Sequence, residues 1–409
     1  MNIVKKVNYR YNIFYKFPTL VLDDLLKLDK RSRPYNIDVF RKDYGRILGY
    51  LEASLNEYQR DVIHTLLQFY DRTLRCFMFP DYLLAPTLEE YSNIVDIPIL
   101  NQVPFHASMK KPDATQVTAA LYLSESVVKA NFKTKGNVCG YHLSFLLKEA
   151  GGMADKGDWK DFNDVLACCI YGIILFPNKV KFVDENVVTI FIHRNPVPTL
   201  LGDVYHYIHS RHYKGKGDVV HYCTTLLYHW CRGHIPFQGA FVDTQDTLKW
   251  SQRLMGLTSK DIDWYMHSLR KPETKEVIFS CGEFPNVPFI GMRGGINYNP
   301  TLSRRQLGYA FKGPHEDKDV QESLFYDVPD STRWMEKAAK SWGSIHLKGG
   351  TYFGKKDFAV YSPYVKWIEE RNKDRHRPFS LEVTWYPQKP DQPDAVPKGS
   401  YDQIQAQNL

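Results

Sequence analysis

Histidine and cysteine side chains are concentrated in one part of the chain, where their spacing could bind a metal ion. Seven of the 14 histidines fall between residues 193 and 234, and Cys223 and Cys231 lie among them. On a helix, His206 and His209 would share a face, and Cys231 and His234 have the same spacing. Zinc prefers such nitrogen and sulfur ligands in a tetrahedral set. The pattern therefore suggests a zinc site formed by His206, His209, Cys231 and His234.

The same segment also supports a purely structural interpretation. No CxxC pair anchors the suggested zinc site, and tyrosines and Trp230 are interleaved with the histidines. Such a run is typical of an aromatic helical surface that packs against a core. Core and surface histidines without a bound cofactor are therefore the favoured reading.

Thiols and carboxylates offer two further kinds of catalysis. A reactive cysteine needs a base within reach and an electropositive setting, and Cys281 before Gly282 is the most motif-like candidate. Two-metal phosphoryl transfer needs converging carboxylates. The candidate carboxylates are Asp81, Asp164, Asp184, Asp203, Asp243, Asp261 and Asp263. None of them lies in a predicted strand of the kind that carries the carboxylates of a nuclease. Neither pattern nominates an active site.

The glycines near residue 291 do not form a phosphate-binding loop. Gly291, Gly294 and Gly295 lack the lysine and hydroxyl residue of a P-loop and do not follow GxGxxG spacing. We predict instead a turn whose glycines adopt positive φ.

The distribution of charge indicates another function, the binding of a polyanion. The net charge is +7, and residues 331–378 hold 11 Lys or Arg but 5 Asp or Glu. Basic residues neutralise phosphates, and exposed aromatic rings can stack on bases. We therefore predict that DNA or RNA binds to Arg304, Arg305, Lys355, Lys356, Lys366, Arg371, Lys373, Arg375 and Arg377. The alternative is a solvated helical face above buried aromatic residues, which would be Trp342, Tyr352, Phe353, Tyr361, Tyr364 and Trp367.

Mostly helical elements must position these candidate sites. Apolar residues recur at helical spacing from about Val39, and a second helix fits residues 56–70. Thr87 and Glu90 have the spacing of a capping box at the start of a third. Residues 187–192 could be a strand or a helix. Residues 278–296, which contain several glycines and prolines, indicate an ordered loop or a small hairpin.

We therefore predict a mainly α-helical fold with a few short strands or a small hairpin, in a single large globular domain. Residues 1–38 would be an N-terminal extension, with a turn at Arg33-Pro34. Residues 39–377 would form the domain, and the proline-rich residues 378–409 a disordered tail.

Composition fits a soluble protein inside a cell. Hydrophobic residues make up 43% of the chain and charged residues 24%, which is ordinary for a globular protein. The longest apolar run, residues 165–176, is shorter than the roughly 20 residues that span a bilayer, so no membrane partner is expected. No signal-peptide pattern stands at the N-terminus, and seven irregularly spaced cysteines indicate reduced thiols.

Residues 66–91 and 281–300 carry a family resemblance. Both are long and aromatic, and neither contains a pair of residues that could catalyse a reaction. They resemble a legume-rich plant family of unknown function that is similar to the plant mobile domain, also called the aminotransferase-like plant mobile domain. Further resembling segments are residues 172–178, 195–201, 250–255 and 304–308.

The resemblance covers roughly residues 40–375 and implies kinship with domains carried in transposable elements. It implies a nuclear location, with the cytoplasm as the alternative, but supplies no catalytic residue and no lysine that would bind pyridoxal phosphate. We therefore expect a non-catalytic interaction module that binds nucleic acid or other proteins. The alternative is a degenerate or unrecognised transposon-derived enzyme for phosphoryl transfer or hydrolysis.

Overall fold

Amphipathic helices, each with one aromatic-rich buried face, build most of this fold. The computed structural model describes residues 15–18, 20–52, 55–107, 109–214, 219–264, 276–314, 324–325 and 331–373. The predicted proline-rich tail and the first 14 residues lie outside these ranges. The α-helices are α1 Asp23–Tyr44, α2 Glu57–Leu67, α3 Leu88–Val95, α4 Ala114–Leu121, α5 Glu125–Asn131, α6 Leu143–Lys156, α7 Trp159–Ile170, α8 Glu185–His193, α9 Val197–Lys214, α10 Thr224–His234, α11 Ala240–Asp243, α12 Trp250–Gly256, α13 Ser331–Ser341, α14 Gly350–Phe353 and α15 Ser362–Lys373.

Short strands join these helices in small sheets. They are β1 Tyr70–Asp71, β2 Cys76–Met78, β3 Leu83–Leu84, β4 Lys133–Lys135, β5 Val138–His142, β6 Phe182–Asp184, β7 Glu276–Cys281, β8 Val287–Ile290, β9 Gly294–Tyr298, β10 Leu324–Phe325 and β11 Ile345–Gly349. The antiparallel sheets have the orders β1-β2-β3, β4-β5-β6, β10-β9-β8 and β11-β7. The chain is thus one globular domain, mainly α-helical with short strands, as the sequence predicted.

The first helix begins earlier than the sequence predicted. α1 starts at Asp23, rather than near Val39, and the helix continues through Pro34, the position of the predicted turn. Leu25 and Leu28 are buried in the main core. Residues 23–38, predicted as part of an N-terminal extension, thus form a helix that packs against the main core.

The longest apolar run forms the centre of the core. Every residue of α7 from Phe162 to Ile170 is buried, and a π-helix, Tyr171–Leu175, continues it. Gly172 lies here against Val183 of β6, where a Cβ atom would come within 2.8 Å of the valine side chain. Residues 187–192, left open from the sequence, are helical within α8. The carboxylate of Asp184 starts that helix by accepting a hydrogen bond from the Asn186 amide at 2.8 Å.

The region of residues 278–296 contains the predicted hairpin. β8 and β9 pair in antiparallel register from Val287 with Tyr298 to Ile290 with Gly295. The predicted positive φ at Gly291, Gly294 and Gly295 is wrong. At Gly291 and Gly294 other groups approach closely: a Cβ atom would lie 2.3 Å from Asp203 Oδ1 at Gly291 and 2.0 Å from His206 Nε2 at Gly294.

The last described helix closes a second, smaller core. Tyr364 and Ile368 of α15 pack with residues of the first sheet, including Leu74 and Cys76. Beyond them, Asn372 Nδ2 donates hydrogen bonds to the carbonyl oxygens of Phe79 at 3.1 Å and Pro80 at 2.8 Å. Residues 66–91 are thus held between the main core and the end of the domain.

Candidate functional site

Glu90, which the sequence nominated only as a helix cap, is the centre of a buried polar cluster. The predicted capping box is confirmed at α3. The Thr87 amide donates to Glu90 Oε2 at 3.0 Å, and the Glu90 amide donates to the Thr87 hydroxyl at 3.0 Å. Burial of Glu90 is complete, so its carboxylate depends on protein partners for its hydrogen bonds.

Those partners come from distant parts of the chain. Trp230 Nε1 donates to Glu90 Oε2 at 2.8 Å, and Gln306 Nε2 donates to Glu90 Oε1 at 3.0 Å. His234 Nε2 lies 3.0 Å from the same Oε1, and its Nδ1 lies 2.7 Å from the Asp263 carbonyl oxygen. Burial lowers the pKa of His234, but Glu90 and the Asp263 carbonyl outweigh that effect and raise it. This closed cluster ties α3 to α10 and to residues 304–308.

The three histidines suggested as zinc ligands contact separate partners. His234 is held by Glu90, while His206 packs its ring on Gly294 and lies 3.4 Å from the Ser210 hydroxyl. His209 makes an edge-to-face contact with Tyr70. In the part of the chain that the structure describes, no three His, Cys, Asp or Glu residues could hold a metal ion together. His206, His209, Cys231 and His234 therefore do not form the suggested ligand set.

Burial makes Cys281, Cys168, Cys223 and Cys231 unsuited to nucleophilic catalysis. All seven cysteines are free, and only Cys139 is not buried. Burial raises the pKa of Cys281, the most motif-like candidate, to about 12, and it has the same effect on Cys168, Cys223 and Cys231. A nucleophilic cysteine needs a lowered pKa, so these thiols are protonated core residues.

The carboxylates singled out in the sequence are also dispersed. Asp164 accepts a hydrogen bond from the Tyr44 hydroxyl and lies 3.3 Å from Lys160 Nζ. Asp184 caps α8, and Asp203 accepts a 2.7 Å hydrogen bond from the Met292 amide. Burial raises the pKa of Asp203 to about 7. Asp164, Asp184 and Asp203 thus each have a structural partner.

Arg304 and Arg305 lie against aromatic rings, which limits their role in a basic surface. The Arg304 guanidinium carbon is 4.8 Å from the Phe353 ring centroid, and that of Arg305 is 3.9 Å from Trp264. Both side chains are half-buried, and burial lowers the pKa of Arg305 to about 10. Stacking on protein rings occupies one face of each guanidinium.

Most of the aromatic residues near the basic segment are buried. Trp342 is fully buried and donates a 2.8 Å hydrogen bond to the Pro288 carbonyl, while Phe353 and Tyr364 are also in the interior. Tyr352 and Tyr361 differ, with 58% and 48% of their surfaces exposed. Of the predicted stacking residues in this segment, these two present rings to solvent.

One lysine contacts the exposed Tyr352, and two more follow it in the sequence. Lys348 Nζ lies 3.7 Å from the Tyr352 ring centroid and 3.6 Å from that of Phe279 on β7. Lys355 and Lys356 follow α14 and are exposed. We call Lys348, Tyr352, Lys355, Lys356 and Tyr361 the basic aromatic surface. Lys348 was not among the predicted site residues. The signal in the sequence was its position four residues before Tyr352.

The outer face of α15 has the character of an ordinary solvated helix. Its exposed residues mix Lys366 and Lys373 with Glu369 and Glu370, while Arg371 lies over the Trp367 ring at 5.8 Å. The alternative interpretation from the sequence therefore describes this helix better than a basic face does. Arg375 and Arg377 lie outside the described residues.

Most of the chain matches a known protein family. A family model described as a domain of unknown function, DUF7745, matches residues 25–373. The chain belongs to this family. The matched region extends from the first turn of α1 to the end of α15 and includes residues 66–91 and 281–300. The family description states no activity.

The other comparisons add no relative. No curated protein and no solved structure matches the chain. Within the described residues, no helix combines the length and apolar character needed to cross a bilayer.

Proposed function

We propose that this domain is a non-catalytic interaction module that binds single-stranded nucleic acid through the basic aromatic surface. The observation that carries the proposal is the exposed ring of Tyr352 beside the ammonium group of Lys348, with Lys355 and Lys356 next along the chain. An exposed ring flanked by cations is the combination that stacks a base while neutralising its phosphate.

Single strands suit this surface better than duplexes do. Stacking requires a base that is not already paired and stacked, and exposed tyrosines offer about 1–3 kcal/mol for each base they hold. Tyr352 and Tyr361 are the two rings available, and the lysines lie between and beside them in sequence. We expect little sequence preference, because every base has a face that can stack.

The interior supports the non-catalytic part of the proposal. The carboxylates of Glu90, Asp164 and Asp184 have structural partners, and the pKa of Cys281 is raised. A transposon-derived enzyme for phosphoryl transfer or hydrolysis remains the alternative function. It would be favoured by turnover of a phosphodiester or ester that is lost on replacing one of these buried groups.

The proposal includes the relationship and location implied by the sequence resemblance. Kinship with the plant mobile domain, a transposon-related origin and a nuclear location are all suggested by residues 66–91 and 281–300. A nuclear protein that binds single-stranded nucleic acid would be consistent with such an origin.

Fluorescence anisotropy with labelled oligonucleotides tests the binding. Oligothymidylate of about 20 nucleotides should bind more tightly than a duplex of equal length. Lys355→Glu with Lys356→Glu should weaken binding at least tenfold, because repulsion replaces attraction to phosphate. The matched control, Lys148→Glu with Lys156→Glu, makes the same charge change on exposed residues of α6. Equal losses in the two double variants would contradict a local interface.

A second variant separates stacking from charge. Tyr352→Ala removes an exposed ring without changing charge, so it should weaken binding of the single strand about fivefold or more and leave duplex binding unchanged. An unchanged affinity for oligothymidylate would refute the stacking role.

A further inference from the structure

A large cleft lies apart from the basic aromatic surface. Its volume is about 1060 Å³, at the upper end of the usual size of small-molecule sites. Its walls come from residues near the start of the described chain, from β5, from the connection into β6 and α8, and from the loop between β8 and β9. Two segments singled out in the sequence, residues 172–178 and 281–300, meet here.

A chain of hydrogen bonds runs along one wall of the cleft. Arg293 donates to Asn178 Oδ1 at 2.6 Å, and Asn178 Nδ2 donates to Asp184 Oδ2 at 2.6 Å. The other Asp184 oxygen, Oδ1, accepts a hydrogen bond from the backbone amide of Asn186. The side-chain oxygen of Asn186 in turn accepts a hydrogen bond from Lys111 Nζ. The buried Asp184 carboxylate is thus linked through Asn178 to Arg293 and through Asn186 to Lys111.

The cleft has more positive than negative charge. Lys111, Lys179, Lys181 and Arg293 line it, against Asp184 and Glu185. Both Asp184 oxygens are occupied by internal hydrogen bonds. A negatively charged ligand would therefore find complementary charge here.

The remainder of the lining is largely apolar. Phe17, Leu20, Ile173, Val220 and Met292 contribute aliphatic and aromatic surface. A small inorganic anion would leave this surface in contact with water, whereas a ligand with an apolar body would cover it. Sites of this kind combine apolar walls with a few placed polar groups.

We propose that this cleft binds an amphipathic organic anion, with a carboxylate or phosphate head beside Lys111 and Arg293 and an apolar body along Phe17, Ile173 and Val220. This site is separate from the nucleic-acid surface, so either function can fail without the other. Lys111 and Arg293 are cations that line the cleft and can donate the charge-assisted hydrogen bonds that carboxylates and phosphates prefer.

Cys139 provides a local reporter of binding. It lines the cleft and is the one cysteine of the seven that is not buried. Alkylation by iodoacetamide should therefore modify Cys139 first, and an occupied cleft should protect it. We expect decanoate or decyl phosphate to slow this reaction at least fivefold in the wild-type protein. Unchanged alkylation at saturating concentrations of both compounds would overturn the proposal.

Competition with a fluorescent anion identifies the required chemistry. Bound 8-anilinonaphthalene-1-sulfonate should be displaced by decanoate or by decyl phosphate. The compound that displaces it at the lower concentration identifies the preferred head group. Decanol, which lacks the charge, and inorganic phosphate, which lacks the apolar body, should displace it at least tenfold less effectively. Equal displacement by decanol would overturn the role of the cations.

Variants complete the test. Lys111→Gln and Arg293→Gln should each weaken the binding of decanoate or decyl phosphate about tenfold or more, since each removes a charged hydrogen-bond donor. The control Lys148→Gln changes an exposed residue of α6 and should leave the affinity for these anions unchanged. The Lys355→Glu with Lys356→Glu variant should also bind these anions normally, and equal weakening in all variants would contradict a site in the cleft.

Discussion

The indole of Trp230 donates a 2.8 Å hydrogen bond to the carboxylate of Glu90, a residue 140 positions earlier in the chain. Gln306 reaches the same carboxylate across 216 positions and also bonds to the backbone of Ala85. These contacts connect residues 66–91 with α10 and with residues 304–308. Glu90 and the backbone of Ala85 therefore link α3 to distant parts of the chain.

Removal of Gln306 should destabilise the domain. In Gln306→Ala, the buried amide of Ala85 loses its acceptor and Glu90 loses a donor. We expect the free energy of unfolding to fall by about 1–3 kcal/mol, the cost of leaving buried polar groups unpaired. Urea unfolding followed by circular dichroism measures this loss. Gln245→Ala, at an exposed position, should change stability by less than about 0.5 kcal/mol.

Stability should decrease as the pH rises from mildly acid to neutral. Burial raises the pKa of Asp203 from 3.8 to about 7 and that of Glu89 from 4.5 to about 7. Because the folded state binds these protons more tightly than the unfolded state does, their contribution is complete below about pH 4 and is lost by about pH 7. Each group should account for a loss on the order of 3 kcal/mol.

Neutral variants test this pH dependence. Asp203→Asn keeps an acceptor for the Met292 amide but cannot ionise, so the decline in unfolding free energy from pH 4 to pH 7 should become smaller. Glu89→Gln should act similarly, since its amide oxygen can still accept from the Ile278 amide. Unfolding curves at several pH values provide the measurement, and an unchanged slope in both variants would contradict the raised pKa values.

Gly294 should not tolerate even a methyl group. In Gly294→Ala, the added carbon would lie 2.0 Å from His206 Nε2, so the buried imidazole must move. We expect a loss of about 1–3 kcal/mol in unfolding free energy, typical of overpacking. Gly152→Ala is the matched control. It lies in α6 with nothing within 4 Å of an added Cβ atom, and it should stabilise by about 0.5–1 kcal/mol.

Nucleic-acid binding should depend on salt in proportion to the lysines that contact phosphate. If Lys355 and Lys356 each neutralise one phosphate of a single strand, Lys355→Gln with Lys356→Gln should reduce the slope of log affinity against log salt by roughly 1.4. Anisotropy titrations between about 50 and 200 mM salt give the slope. A lower affinity with an unchanged slope would mean that the lysines act indirectly.

Local features of this fold were predictable from the sequence. The capping box of Thr87 and Glu90 follows from a spacing of three residues, and its geometry is set within one helical turn. The β8-β9 hairpin and the mainly helical class follow from turn residues and apolar periodicity. The start of α1 was missed because residues 23–38 contain Pro34 and many charges, while its burial depends on packing against α6 and α7.

The long-range contacts could not be predicted from the sequence alone. Nothing in the sequence near Glu90 specifies Trp230 or Gln306 as partners, since both are brought together only by the packing of α3, α10 and residues 304–308. The same holds for Arg293 and Asn178 in the cleft. Arg304 and Arg305 resembled part of a basic patch because the rings they stack on, Phe353 and Trp264, lie far away in sequence.

The contact between Asn372 and the carbonyl groups of Phe79 and Pro80 has a consequence for synthesis on the ribosome. The interacting residues are separated by up to 293 positions, so translation at about 5–20 residues per second leaves the first sheet without its cover for about 15–60 s. During that interval, Leu74 and Cys76 lack the side chains of Tyr364 and Ile368 that later cover them. The nascent polypeptide therefore presents a sticky apolar surface, suited to chaperone capture, until nearly the whole domain has left the exit tunnel.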